Sequence, residues 1–131
     1  MSDFAAHSGG CHCGALRFEV QITGHEEIRE CTCSICTKTA LIHLIVPKSR
    51  FKILQGEDAL THYKFNKGIA DHMFCKHCGV KAFYIPRSNP DGYSVNARCL
   101  DEWGSLPFKI VAPFDGKNWE QAKSIAHLSK E

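Results

Sequence analysis

The sequence predicts a mainly β fold made of short strands, with a short helix only near the C-terminus. Three observations predict it. Residues 15–22 set Leu16, Phe18, Val20 and Ile22 against Arg17, Glu19 and Gln21, the two-residue period of a strand with one buried face. Residues 41–46 form a nearly continuous apolar run closed by Pro47, the pattern of a buried strand. Seven of the eight cysteines fall in three tight clusters, Cys11-x-Cys13, Cys31-x-Cys33-x-x-Cys36 and Cys75-x-x-Cys78, spaced to tie short segments together.

The other elements follow in order. Thr61, Tyr63 and Phe65 alternate with polar neighbours, and further strands are expected at 71–74, 80–85 and 92–97. Turn chemistry separates them, at Asn66-Lys67-Gly68 and at Ser88-Asn89-Pro90-Asp91-Gly92. Only the tail reads as helical: Asn118 is a candidate cap for a segment that places Trp119, Ala122 and Ile125 or Ala126 on one side.

A chain of 131 residues with 44% hydrophobic content suits one domain with its own core, small enough for metal staples to matter. The formal charge is only +2 with both signs interspersed, so bulk charge gives no support for nucleic-acid binding. No run of eighteen apolar residues spans a membrane, and MSDFAAHSGG lacks the basic and apolar regions of an export signal. The expectation is a cytoplasmic protein whose thiols stay reduced and available to metal rather than paired as four disulfides.

Thiolates at i and i+2 or i+3 converge on one tetrahedral ion about 2.3 Å from each sulfur, whereas disulfide geometry rarely suits such close partners. The spacing therefore reads as a zinc protein with two zinc ions per chain. Cys11 and Cys13 form one knuckle and Cys75 and Cys78 a second, each followed by a glycine, Gly14 or Gly79, that can take positive φ. Together they supply four ligands, the closed set of a structural zinc that would pin the first strand to a segment far along the chain. Cys31, Cys33 and Cys36 supply three, and three protein ligands with a fourth position for a small molecule are the pattern of a reactive zinc. Three thiolates make that ion a poor carbonyl polariser but a good host for a soft substrate thiol, held as thiolate. Alternatively Cys99, or a histidine such as His43, His72 or His77, closes the triplet and makes it structural.

Other polar residues offer less. His12 and His77 lie inside the knuckles, where sulfur already satisfies the metal, and are not counted as ligands. Arg98 and Asp101, at the end of a predicted strand, are candidate catalytic residues, Arg98 for a substrate carboxylate and Asp101 for proton movement; a surface ion pair is the plainer reading. Cys99 is either a small buried hydrophobe or a nucleophile. Phe83, Tyr84, Ile85, Pro86 and Phe108 read as core or pocket wall.

The order Gly-Gly-Cys-His-Cys-Gly at 9–14, Cys-Thr-Cys-Ser-Ile-Cys at 31–36, Phe-Cys-Lys-His-Cys-Gly-Val at 74–80 and Asn-Ala-Arg-Cys-Leu-Asp at 96–101 resembles the glutathione-dependent formaldehyde-activating enzyme family. The resemblance covers residues 7–120 as one zinc domain and leaves 121–131 as a C-terminal tail. Within the family, Tyr-Ile-Pro-Arg-Ser-Asn-Pro at 84–90 and the compact length are most similar to the branch containing centromere protein V. The resemblance implies an Mss4-like fold of antiparallel sheets around zinc. It implies that Cys11, Cys13, Cys75 and Cys78 hold a structural zinc, and that Cys31, Cys33 and Cys36 hold a catalytic one. It also implies carbon–sulfur bond formation between glutathione and formaldehyde, giving S-hydroxymethylglutathione. Two departures limit the transfer. The extra segment of the longer glutathione-using members is absent, so no residues for the γ-glutamyl and glycyl ends carry over. The basic region of the chromatin-associated members is absent too.

The expected function is a zinc-dependent carbon–sulfur lyase or synthase acting on a small thiol–aldehyde adduct, its partners a thiol such as glutathione and an aldehyde, with no nucleic acid and no membrane. The alternative is a non-catalytic zinc-stabilised protein-interaction module. What stands at the fourth position of the triplet discriminates between them.

Overall fold

The structure is a computed structural model that describes residues 4–65, 68–115 and 125–130. Its elements run β1 (Ala5–Gly10), β2 (Arg17–Ile22), β3 (Glu27–Ile28), α1 (Ser34–Thr39), β4 (His43–Pro47), β5 (Phe51–Gln55), β6 (Leu60–Tyr63), β7 (His72–Cys75), β8 (Phe83–Tyr84), β9 (Gly92–Asn96) and β10 (Lys109–Ile110). The chain is mainly β, with antiparallel sheets ordered β1-β2-β5, β4-β9-β8 and β6-β7. One pair departs from that pattern: β3 and β10 run parallel. No described helix is long and apolar enough to cross a membrane.

The alternation at 15–22 becomes β2, whose Phe18, Val20 and Ile22 are fully buried beside Leu16. Phe18 stacks on Phe51 at 5.5 Å between centroids and meets the edge of Phe83 at 5.9 Å, while Phe51 and Tyr93 stack at 4.3 Å. These rings join β2 to β5, β8 and β9 and form the centre of the main core.

The apolar run at 41–46 becomes β4, buried on both faces for a reason that matters to function. Side chains alternate across a strand. Leu44 and Val46 enter the main core, whereas His43 and Ile45 line a cleft on the other face. In β8 and β9 the same alternation sends Phe83 and Val95 inward. Tyr84 stands opposite Ser94, and Ser94 opposite Ile45, so these three share the cleft face.

Several expectations need correction. β1 and β5 were invisible to the period rule, because Ala5–Gly10 carries no β-branched residue and Phe51–Gln55 only one. Gly9 forms a bridge to Leu100 where an added Cβ would come within 2.4 Å of the Cys99 carbonyl oxygen, so that crossing requires glycine. The strand expected at 80–85 is reduced to Phe83–Tyr84. Residues 34–39 form a short helix, whereas the only helix expected was in the tail. The expected tail helix around Asn118, Trp119 and Ala122, like the turn residues Asn66 and Lys67, lies outside the described residues. Of the residues that follow, 125–129 form a 3₁₀ segment with Ile125 buried.

Candidate functional site

The first knuckle is the turn from β1 to β2. The Cys11 N–H donates to the Leu16 carbonyl at 3.1 Å, and the Leu16 N–H donates back to Cys11 Sγ at 3.3 Å. The second follows β7: the Gly79 N–H donates to the Cys75 carbonyl at 2.8 Å and the His77 N–H to Cys75 Sγ at 3.4 Å. Gly14 and Gly79 take φ of 84° and 77°, the turn that L side chains resist. The four sulfurs lie within 4.8 Å of one another, with Cys11 to Cys13 at 3.6 Å and Cys13 to Cys75 at 3.7 Å. A tetrahedron with sulfur 2.3 Å from its centre has edges of about 3.8 Å, so this donor set fits a zinc-sized ion. His12 and His77 are exposed and outside the group.

Cys31, Cys33 and Cys36 form the second group, again with sulfurs within 4.8 Å. Backbone pairing positions Cys31: the Thr32 N–H donates to the Phe114 carbonyl at 3.0 Å, and the Phe114 N–H to that of Glu30 at 2.8 Å. Cys33 is the N-cap of α1, with extended φ and ψ, and Cys36 is the buried residue of that helix. Ala40 ends the helix in the left-handed region at φ 54°, its N–H returning to the Cys36 carbonyl. The three sulfurs share protons unequally. Hydrogen bonds from Cys31 and Cys36 pull the Cys33 thiol far below its ordinary range, while the same contacts, Cys31 first, push Cys36 far above it. The convergence of three thiol donors is what suits the group to a soft cation.

Neither proposed closing ligand from the knuckle side reaches the triplet. Cys99 packs against the main core, where burial and then the negative charge of Cys11 and Cys78 raise its pKa to about 11. His77 stays with Cys75. Among the described residues the metal-competent group at this site holds three donors. Arg98 and Asp101 are not brought to it. Arg98 is exposed; Asp101 pairs with Arg17 and gives its backbone N–H to the Ser8 carbonyl, so the surface ion pair is what the structure shows there.

The structure brings His43 and His72, two of the histidines considered as closing ligands, and Tyr84 and Pro86, read as core or pocket wall, into the cleft beside the triplet, though not into its donor group. The sulfurs form part of a cleft of about 320 Å³ whose walls include Ile45, Ile69, Phe114 and Ile125, with Arg29 and Arg87 among the polar lining. The Tyr84 hydroxyl lies 3.6 Å from Cys36 Sγ and 3.2 Å from His43 Nδ1, which also meets Ser94 Oγ at 2.7 Å. His72 stacks on Tyr84 at 4.9 Å and on Phe65 at 5.4 Å. Lys81, only 8% exposed, contacts His72 Nδ1 at 2.5 Å and lies 4.0 Å over the Tyr84 ring. Burial lowers the Lys81 pKa to about 8, with the charge of Cys36, Cys33 and Cys31 holding it up. A buried lysine thus lies within the electrostatic reach of the three sulfurs. In the sequence its only mark is its place directly after Cys-x-x-Cys-Gly-Val.

This geometry can be set against known proteins. The sequence model of the glutathione-dependent formaldehyde-activating enzyme family, GFA, matches residues 6–114. The chain belongs to the GFA family. A crystal structure of a Rhodobacter sphaeroides protein, a structural-genomics target, is similar to it at 34% identity and a TM-score of 0.68, covering 78% of this chain and 99% of that one. GFA membership is enzyme-associated, and the two cysteine groups are compatible with the metal such an enzyme uses.

Proposed function

We propose that this GFA protein is a zinc-dependent carbon–sulfur lyase or synthase that makes and breaks the adduct of a small thiol with an aldehyde. The observation that carries the reading is the position of the triplet: three cysteine donors in the wall of a cleft large enough for a small molecule. On this reading Cys11, Cys13, Cys75 and Cys78 hold a structural zinc and Cys31, Cys33 and Cys36 a reactive one. Bound there, zinc keeps a substrate thiol ionised at neutral pH.

The residues of the chain supply the rest. Lys81 offsets the negative charge that accumulates on the sulfurs. Arg29, which also pairs with Glu27 at 3.4 Å, and Arg87 are the cationic residues of the lining, which favours a thiol carrying a carboxylate, as glutathione does. The apolar walls exclude water, which strengthens these interactions and protects a labile adduct. In synthesis, the sulfur's electron pair forms the C–S bond, the carbonyl π pair moves to oxygen, and oxygen takes up the proton the thiol released. Holding sulfur and carbonyl together is the main contribution, because the addition already proceeds in water.

We place the chain in the centromere protein V-like branch on the Tyr84–Pro90 sequence, with residues 7–120 as the working domain and the cytoplasm as its compartment. The test is exchange NMR with zinc-loaded protein, glutathione and ¹³C-formaldehyde. Faster exchange between free aldehyde and S-hydroxymethylglutathione than in buffer supports the assignment; equal rates with protein carrying both metals would overturn it.

A further inference from the structure

Four rings form a stack that runs from the surface to the triplet. Tyr63, at the end of β6, stacks on Phe65 with centroids 5.6 Å apart; Phe65 stacks on His72 at 5.4 Å, and His72 on Tyr84 at 4.9 Å. Interplanar angles of 25°, 26° and 14° keep the rings close to parallel. At the inner end the Tyr84 hydroxyl meets Cys36 Sγ at 3.6 Å. Exposure falls inward, from 50% at Tyr63 and 38% at Phe65 to 4% at His72 and Tyr84. Phe65, His72 and Tyr84 all line the cleft that contains the three thiols.

The outer part of this wall is apolar and open to solvent. Ile69, which belongs with Phe65 to the connection between β6 and β7, also lines the cleft and is 49% exposed. Ile35, between Cys33 and Cys36 in α1, lines with Phe65 both this cleft and a shallower groove beside it, so the apolar wall runs alongside the helix of the triplet. Apolar side chains held at water in a cleft gain from a ligand that covers them. The simplest thiol and aldehyde do not supply that cover. Formaldehyde has only hydrogens on its carbonyl carbon, and glutathione is a polar tripeptide whose carboxylates suit arginines rather than Phe65 and Ile69.

We infer that the preferred aldehyde carries an apolar, ring-sized substituent, which lies against Phe65 and Ile69 while its carbonyl carbon meets the thiol sulfur at the triplet. This rests on the thiol–aldehyde reading above. The flat ring of Phe65 suits an aryl group, which gains offset stacking as well as burial. The chemistry is that of the smaller aldehyde: the sulfur pair forms the C–S bond, the carbonyl π pair moves to oxygen, and the proton released by the thiol ends on that oxygen. Nothing is oxidised or reduced. Phe65 and Ile69 set specificity and touch no reacting atom.

The experiment uses zinc-loaded protein and glutathione, with formaldehyde and phenylacetaldehyde in parallel. Each adduct-exchange rate is divided by the rate of the same aldehyde in buffer, which removes the difference in intrinsic reactivity. Formaldehyde is accelerated, and phenylacetaldehyde about tenfold more or better at low aldehyde concentration, the scale on which an apolar pocket discriminates. In Ile69→Ser and Phe65→Ser the ratio of the two accelerations should fall by about fivefold or more. Ile69 is no part of the core, so its variant tests the contact in a folded protein. A readout independent of rate is the NOE between the phenyl protons and the Ile69 methyl groups, expected with glutathione and phenylacetaldehyde together. Equal acceleration of the two aldehydes, a ratio that folded Ile69→Ser leaves unchanged, or an active enzyme without that NOE would overturn the proposal while leaving the lyase reading intact. Protein that carries both zinc ions and binds glutathione but accelerates neither aldehyde would overturn the lyase reading itself.

Discussion

The Tyr84 hydroxyl sits 3.6 Å from Cys36 Sγ, joining strand β8 to helix α1 across a sequence separation of 48 residues. Burial, followed by the negative charge and hydrogen bond of Cys36, holds the phenol well above its ordinary pKa, so it remains a donor to sulfur. Tyr84→Phe removes a hydrogen bond to a proposed ligand and leaves the ring packing in place. Zinc affinity of the triplet should drop about tenfold or more, while global stability changes by no more than about 1.5 kcal/mol. Chelator competition and urea unfolding read the two effects separately.

The two cysteine groups should fail in different ways. Cys75 is fully buried and its knuckle lies against the β1–β2 turn, so on the proposed assignment Cys75→Ser opens a long loop and removes one ligand of the four-sulfur site. Loss of cooperative unfolding, or a fall in Tm of roughly 10 °C or more, is expected. Cys33, half-buried at the start of α1, carries no such connection; Cys33→Ser should keep most of the stability and lose the adduct-exchange activity. Equal destabilisation in thermal melts of both variants would contradict the division of roles.

Asn89 fastens the C-terminal segment. Its fully buried amide donates to the Ile125 carbonyl at 2.9 Å, to the Ala126 carbonyl at 3.2 Å and to Ser129 Oγ at 3.0 Å. Ile125 belongs to the cleft wall, so this fastening reaches the site. Asn89→Ala removes the donor to the buried Ile125 carbonyl and is expected to lower stability by about 1–3 kcal/mol and raise KM more than it lowers kcat. Denaturant melts and steady-state kinetics check both.

Acid should weaken the fold through His43 and His72. Burial, with the Lys81 charge second, lowers their pKa values from 6.5 to about 3 and about 4. The unfolded chain therefore binds more protons than the folded one between those values and 6.5. Stability contributed by neutral rings is present above pH 6.5 and lost as pH falls toward 4 and then 3, with a slope of about 1.4 kcal/mol per pH unit for each fully protonating ring. Thiolate protonation acts in the same direction, so the comparison is between wild type and His72→Phe: the variant should show the shallower decline in urea stability from pH 6.5 to 5.

How much was legible depended on whether the signal was local. The alternation of Leu16, Phe18, Val20 and Ile22 and the cysteine spacings are local, and they led directly to β2 and to both metal-competent groups. β1 was not legible, because Ala5–Gly10 becomes a strand only by pairing with β2. The site was legible as thiols and not as a cleft. His43, Tyr84 and Ser94 lie on three strands that meet only through the β4-β9-β8 register, and nothing in each local sequence points to the others. Arg98 and Asp101 misled for the converse reason: they are polar and close in sequence to Cys99, yet Asp101 is committed to Arg17.

The central claim is that the triplet accepts a thiol from solution. Zinc-edge X-ray absorption on protein carrying two zinc ions tests it most directly. With one closed four-sulfur site and one three-sulfur site, the mean sulfur coordination should be about 3.5 without added thiol and rise to about 4 with saturating glutathione. A value of about 4 before glutathione is added, unchanged afterwards, would mean that the second ion is already closed by the protein, and would contradict the account.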